Sequence, residues 1–460
     1  MSLIKSISGI RGTIGGKVND NLTPLDVVKF ASAFGTWLQN NKNKKDLTLV
    51  IGRDARISGQ MVSSLVASTL QGLGINVVDL GLSTTPTVEI MVPELKADGG
   101  IILTASHNPK QWNALKLLND KGEFISGENG AEVLALAENE DFNYAEVDDL
   151  GKYETRDDAF DIHIKQILDL PTVDVEAIKA KKFKVVLDAV NSTGGISIPP
   201  LLEKLGVEVV KLYCEPNGQF PHNPEPLKEH LGDICELVIK EKADMGIVVD
   251  PDVDRLALVD EKGEMFGEEY TLVAVADYLL KDKKGVAISN LSSSRALRDV
   301  AKNLDSEYFA SAVGEVNVVT LMKEKNAVIG GEGNGGIIYP ELHYGRDSLV
   351  GVALFLTHLA EENKTVSELR ATYPSYFMGK KKIELTLDID VDALLIKVQE
   401  EYKNEEISTV DGVKIDFPEN WVHLRKSNTE PIIRIYTEAF SQEKADKLGD
   451  DMIAKIRSLI

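Results

Sequence analysis

Three stretches of the chain repeat one pattern: a β-branched apolar run, a polar turn, then apolar positions at helical spacing. They span residues 47–70, 183–206 and 285–304. A second short apolar run follows the helix at 75–81 and 207–213, with a weaker counterpart at 306–311. Each unit then reaches a buried-looking run that empties into a polar loop: GGIILTASHN from Gly99, ADMGIVVDPDVD from Ala243 and NAVIGGEGNGG from Asn326. Strand–helix–strand alternation of this kind predicts mixed α/β layers with functional loops at the strand ends. From about Lys380 the pattern changes to strands alternating with two long helices. In the last of these, Ala445, Leu448, Met452, Ile453, Ile456 and Ile460 lie near helical spacing. The reading is an α/β protein: three similar mixed α/β domains followed by a smaller C-terminal α+β domain. Composition shifts set the expected boundaries at 1–150, 151–265, 266–375 and 376–460.

The 460 residues suffice for several separate cores, and 43% hydrophobic with 27% charged residues excludes a disordered or collagen-like chain. The formal net charge is −22. A chain this acidic has no global attraction for nucleic acid or anionic lipid, so an anionic substrate requires its basic residues to be concentrated locally. Cys214 and Cys235 form no metal-ligand pattern and no disulfide framework. The N-terminal stretch has no continuous apolar core or small-residue cleavage site, and no run of about 18 apolar residues occurs. The expectation is a cytoplasmic protein in which the Asn-X-Ser/Thr sites are chance matches.

Four loops can carry chemistry. In the first, Thr104 to Pro109, Ser106, His107 and Asn108 leave a strand where a serine is well placed for exposure. Taken alone, the hexamer also reads as an Asn-Pro turn whose serine satisfies backbone donors. No Gly-x-Ser-x-Gly elbow surrounds it, so acyl chemistry is not supported. In the second, Asp250, Asp252 and Asp254 alternate after an apolar run and would repel one another unless a divalent cation with hard oxygen ligands intervened. A calcium loop of the EF-hand type fails because its sixth position, which needs glycine, holds Arg255. Mg²⁺ with open positions fits better, and Arg255 is a bidentate phosphate donor. The alternative is a solvated acidic turn.

The third loop, Gly331 to Gly336, formally matches a dinucleotide fingerprint, yet the extended, proline-stopped Ile337 to Pro340 follows where a helix is needed. Glu332 and Asn334 suit a polyol, unless the segment is a plain tight turn. The fourth, Arg425 to Pro431 with Arg434 in the next strand, is the densest donor cluster of the chain and reads as an anion cradle.

Together, in this order, Ser-His-Asn-Pro, Asp-x-Asp-x-Asp-Arg, Gly-Glu-x-x-Gly and Arg-x-Ser-Asn-Thr-Glu-Pro resemble the α-D-phosphohexomutases, the superfamily of phosphoglucomutase, phosphomannomutase and phosphoglucosamine mutase. The resemblance covers the whole chain and implies four domains around a central cleft. It implies that Ser106 carries a phosphoryl group, with one Mg²⁺ held by that phosphate and by Asp250, Asp252 and Asp254. Lys116, His107 and Arg11 match positions near the transfer. Arg255, Glu332, Asn334, Arg425, Ser427, Asn428, Thr429 and Arg434 match substrate positions. The implied reaction interconverts a hexose 6-phosphate and 1-phosphate through a sugar bisphosphate, which also serves as activator. The smaller C-terminal domain would swing to admit and release substrate.

Many members carry Ser and His where this chain has Asn334 and Gly336. That form, and Val313 to Val318, resemble a branch that includes archaeal-type enzymes of mixed substrate use. Loop style and length also resemble bacterial phosphoglucosamine mutases. The expected partner is a phosphorylated hexose or hexosamine, glucosamine phosphate first, with glucose and mannose phosphates as the alternative. Neither nucleic acid nor membrane is expected, and the chain is expected to be a monomer or homodimer. Rival readings are a metal-dependent phosphatase using Ser106 and a sugar-phosphate binding protein without turnover.

Overall fold

The computed structural model describes residues 2–6, 9–42, 44–386, 389–426 and 432–459. The chain forms two compact units, one of residues 1–271 with 335–370, the other of residues 272–334 with 371–460.

The first unit holds two sheets. The larger has seven strands in the order Ile4–Ser6, Gly9–Thr13, Trp112–Leu118, Gly99–Leu103, Thr48–Arg53, Asn76–Leu82, Tyr153–Thr155. Its central strands are apolar on both faces because both are covered. Leu49, Ile51, Ile101, Leu103, Leu115 and Leu117 join one core with Phe30, Phe34, Val62 and Val66 of two helices. Val50, Ile102 and Leu118 join the opposite core with Val88, Met91 and Val92. Trp112–Leu118 runs antiparallel to Gly99–Leu103 with Ile102 opposite Lys116. The two-residue period therefore sets Lys116 on the face that carries the helix Thr85–Glu94.

The smaller sheet orders Leu256–Val259, Met245–Val249, Lys184–Asp188 and Glu208–Leu212. Met245–Val249 and Leu256–Val259 are antiparallel, with Val249 opposite Leu256, so the Asp250 to Arg255 segment is the turn of a hairpin. The helix Ser348–Glu362 completes this unit; its residues 348–360 are all buried, and Asp347 caps it by accepting from Leu349 N and Val350 N.

In the second unit Val286–Asn290 lies parallel to Glu307–Ser311 and to Ile329–Glu332. A five-stranded antiparallel sheet orders Phe377–Glu384, Ile432–Ala439, Trp421–Lys426, Val413–Asp416 and Glu406–Ser408. Its core includes Leu394, Leu395, Val398, Met452 and Ile456 from the two C-terminal helices. The mixed α/β sheets and the C-terminal α+β region accord with the expected fold class. Each of the three recurring units ends, as expected, in a strand that empties into a loop: Gly99–Leu103, Met245–Val249 and Ile329–Glu332. Among the described residues no helix is long and apolar enough to cross a membrane.

Candidate active site

Ser106 follows the buried strand Gly99–Leu103 and has φ 48°, a left-handed conformation that costs a non-glycine residue about 1–2 kcal/mol. Its neighbours hold it there. Ser106 N donates to Thr104 Oγ1 at 2.9 Å, and Thr104 Oγ1 donates to Asp54 Oδ2 at 2.7 Å. The guanidinium of Arg56 donates to Asp54 Oδ2, to the carbonyls of Pro109, Trp112 and Asn108, and to that of Ser106 itself. The exposure expected for Ser106 is not found: it is 7% exposed, because its hydroxyl turns inward to Asp250.

Ser106 Oγ donates to Asp250 Oδ2 at 2.7 Å and lies 3.3 Å from His107 Nδ1. The other oxygen of Asp250 accepts from Asp254 N and Arg255 N, both at 3.1 Å, and so folds the turn on itself. Asp252 Oδ2 accepts from Lys116 Nζ at 2.7 Å and from Thr85 Oγ1 at 2.6 Å. Asp254 Oδ2 accepts from Arg346 Nη2 at 2.6 Å. Asp252 Oδ1 and Asp254 Oδ1 are buried and have no hydrogen-bond partner among the described residues. One ligand atom from each of Asp250, Asp252 and Asp254 lies within 4.8 Å of the others, and all three residues are fully buried.

Buried carboxylates so close together titrate unequally. Burial, then the charges of Asp254 and Asp252, push the Asp250 carboxyl well above its usual range. Burial acts on Asp252 too, but the Lys116 ammonium and the Thr85 hydrogen bond outweigh it and hold Asp252 below that range. Burial would likewise release the Lys116 proton, yet Asp252 and Asp254 prevail and raise its pKa. Burial, assisted by Arg255, lowers His107 to about 2, so its imidazole is neutral at ordinary pH. Two orphaned carboxylate oxygens beside a third carboxylate and a hydroxyl form an all-oxygen donor set, which fits a small hard dication.

Arg255 is mostly buried, with Nη1 3.3 Å from Glu225 Oε1. Arg11 lies opposite Ala114 in the large sheet and thus on the Lys116 face; its buried Nε has no hydrogen-bond partner among the described residues. Ser106, His107, Lys116, Arg255 and the three aspartates are brought together in the first unit.

Glu332 and Asn334 belong to the second unit. Glu332 Oε1 accepts from Asn290 Nδ2 at 2.8 Å and from Gly314 N at 3.1 Å, which fixes the carboxylate at its strand end, while Asn334 is half-buried. Arg425, expected in a loop, is instead a strand residue of Trp421–Lys426; the apolar alternation of Val422 and Leu424 carries pairing through to Lys426. Arg425 pairs with Asp411 at 2.9 Å and stands directly opposite Arg434. Ser427, Asn428 and Thr429 lie outside the described residues.

Sequence reasoning missed Thr85, Arg346, Asp54 and Arg56. The one local signal is a strand exit, Gly52-Arg53-Asp54-Ala55-Arg56, that is as polar as those singled out.

Family models match the chain in four consecutive parts. Phosphoglucomutase/phosphomannomutase alpha/beta/alpha domains I, II and III match residues 4–144, 161–263 and 267–376, and the C-terminal domain matches 382–455. A phosphoglucomutase/phosphomannomutase of Thermococcus kodakarensis is 38% identical over 440 residues, covering 94% of this chain and 95% of the relative. A probable phosphoglucosamine mutase of Methanopyrus kandleri is 32% identical over 456 residues, 98% and 97% of the two chains. The crystal structure of a phosphoglucomutase/phosphomannomutase family protein from Burkholderia thailandensis aligns with TM-score 0.85 and 25% identity over 99% of this chain and 98% of that one. The chain belongs to the phosphoglucomutase/phosphomannomutase family and is a phosphohexomutase, an intramolecular phosphotransferase.

Proposed function

We propose that the enzyme interconverts glucosamine 6-phosphate and glucosamine 1-phosphate, with Ser106 as phosphoryl carrier. The observation that carries the reading is Ser106 Oγ held 2.7 Å from Asp250, in a buried cluster where Asp252 and Asp254 each keep one oxygen unbonded. A phosphoryl group on Ser106 passes to the free hydroxyl of the sugar monophosphate: the P–Oγ bond breaks, a P–O bond to the sugar forms, and a bisphosphate results. The bisphosphate reverses its orientation, and its other phosphoryl returns to Oγ. The proton that the sugar hydroxyl gives up passes to Oγ as it leaves and returns when Ser106 attacks, while His107, neutral and 3.3 Å from Oγ, orients the serine by a hydrogen bond.

Asp250, Asp252 and Asp254 would hold Mg²⁺, which when bound supplies charge stabilisation to the equatorial phosphoryl oxygens. Lys116, Arg255 and Arg11 add cations for the same charge. Glu332 and Asn334 grip sugar hydroxyls in either orientation, and Arg425, Ser427, Asn428, Thr429 and Arg434 hold the phosphate that is not reacting. A protonated 2-amino group gains from an acidic protein, and the name of the Methanopyrus relative agrees with an amino sugar. The name of the Thermococcus relative favours the second reading, glucose or mannose phosphates.

The test compares kcat/KM for glucosamine, glucose and mannose phosphates with Mg²⁺ and a sugar bisphosphate present. The expected preference for glucosamine phosphate is about a hundredfold, equivalent to about 2.7 kcal/mol of differential transition-state binding. Comparable values for glucose or mannose refute the amino-sugar assignment and leave a broad hexose phosphate mutase. Release of inorganic phosphate faster than isomer formation would replace the mutase reading with a phosphatase.

A further inference from the structure

The metal turn is gripped from behind by a segment to which no role has yet been given. Arg346 and Asp347 stand between the strand Gly336–Ile338 and the buried helix that Ser348 begins, Ser348–Glu362. Arg346 is bridged to Ile338, and Asp347 N donates to Ile337 O at 2.8 Å, which fixes the segment in register. Arg346 Nη2 donates to Asp254 Oδ2 at 2.6 Å, and Ser348 N donates to Val253 O at 3.1 Å. Val253 is a buried β-branched residue at φ 65°, so the turn is strained there and needs outside support.

That support is anchored in turn. Asp347 Oδ2 lies 2.9 Å from His163 Nε2 and 3.3 Å from His343 Nε2. His163 Nδ1 lies 2.9 Å from Thr87 Oγ1, on the helix whose Thr85 holds Asp252. The contacts close a ring: Asp252, Thr85, Thr87, His163, Asp347, Arg346, Asp254. Every member of it is buried. The ring leaves one oxygen each on Asp252 and Asp254 unbonded, the two that a dication would need.

We propose that Arg346 is a positioning residue of the phosphoryl-transfer site. By holding Asp254 Oδ2, and by being held in place through Asp347 and His163, it turns Asp254 Oδ1 to the dication. Its positive charge also keeps that ion from binding too tightly. The inference rests on the proposed dication site at Asp250, Asp252 and Asp254. Its electrostatic part follows from distance. A guanidinium removed from a buried carboxylate leaves a negative charge that a dication then compensates, and this outweighs the rotamer freedom that Asp254 regains.

The experiment measures Mn²⁺ binding to dephosphorylated full-length enzyme by titration calorimetry, alongside steady-state kinetics, for wild type, Arg346→Met, Arg346→Lys and Asp252→Asn. Arg346→Met is expected to bind Mn²⁺ at least tenfold more tightly while kcat falls at least tenfold and KM for the sugar phosphate moves less than threefold. Arg346→Lys keeps the charge and loses the fork; its Mn²⁺ affinity is expected within threefold of wild type, with kcat between the other two. A merely structural role would weaken Mn²⁺ binding and kcat together, and that result, or unchanged values in both variants, overturns the proposal. If Arg346→Met does not fold, Arg346→Lys decides alone: wild-type kcat in it overturns the proposal. Wild-type Mn²⁺ affinity in Asp252→Asn would instead remove the dication site itself, a separate failure visible without any Arg346 variant.

Discussion

Arg56→Lys keeps a cation behind the Ser106 loop and removes its geometry. A guanidinium has five N–H donors, and in this structure they meet five acceptors: Asp54 Oδ2 and the carbonyls of Pro109, Trp112, Ser106 and Asn108. An ammonium has three donors, so at least two of these acceptors lose their partner. At about 1–3 kcal/mol for each unsatisfied buried group the loop is destabilised by about 4 kcal/mol. That exceeds the roughly 1–2 kcal/mol by which Ser106 is strained at positive φ, so the serine is free to relax away from Asp250. About 4 kcal/mol is roughly a thousandfold in the population of the open loop. Hydrogen–deuterium exchange reads this directly at Asn108 N and Trp112 N, which donate to Ala105 O and Pro109 O within the loop. Faster exchange confined to residues 104–112, with a kcat/KM loss of about two orders of magnitude or more, is the expected result. Unchanged exchange with kcat/KM within threefold of wild type would refute the reasoning, because it would mean the fork carries none of the loop's geometry.

Three further outcomes follow from the same contacts. Asp252→Asn weakens Mg²⁺ binding and lowers turnover by about two orders of magnitude or more, since a neutral amide leaves Lys116 without its partner at 2.7 Å; an unchanged Mg²⁺ dependence of the rate counts against it. Lys116→Met lowers kcat by about tenfold to a thousandfold with a smaller change in KM, because its charge serves the transition state; a rise in KM alone would show instead a ground-state binding role. His423 is buried between Ser292 Oγ and Asp411 O, and burial lowers it to about 4, against about 6.5 when unfolded. Between those values the unfolded chain takes a proton that the folded chain refuses. Stability is therefore intact above about pH 6.5 and falls by about 3 kcal/mol as pH drops to 4. Thermal unfolding midpoints from pH 7.5 to 4.5 should fall less steeply in His423→Gln, and identical slopes would show that His423 already titrates in the folded protein.

The strand exits were legible because a strand buried on both faces reads as a continuous apolar run, and the residues that follow Gly99–Leu103 and Met245–Val249 are abruptly polar. Ser106 and the three aspartates sit at those breaks. Arg346 and Thr85 were not legible, because each finds its aspartate across 92 and 167 residues of chain, and contacts of that span leave no local periodicity. The same holds for the four carbonyl acceptors of Arg56, which lie about fifty residues on. In the sequence the polar Arg-Lys-Ser-Asn-Thr string outweighs its neighbours and makes Arg425 read as a loop residue, whereas Val422 and Leu424 extend the strand through it. Lys414 and His423 are cross-strand partners that alternate with apolar neighbours, and both are buried by contacts far off in sequence, Lys414 on Leu291 O and His423 on Ser292.

Charge placement follows from the overall imbalance. At a net charge of −22 an anionic substrate is repelled at long range, so attraction must come from cations held against their own preference. Across three adjacent strands of the second unit, Lys382 stands opposite Arg434 and Arg434 opposite Arg425. Like charges directly opposite one another destabilise a sheet, and among the described residues Asp411 and Glu384 offset this for the two outer members of the row. In the first unit the sign is reversed: three buried aspartates gather, and Lys116 and Arg346 neutralise one oxygen of Asp252 and one of Asp254. A row of cations that no sheet requires, and a knot of carboxylates that no core requires, are each costly to hold and each relieved by charge of the opposite sign. On the proposed function, a phosphate anion would neutralise the row in the second unit and a dication would neutralise the knot in the first.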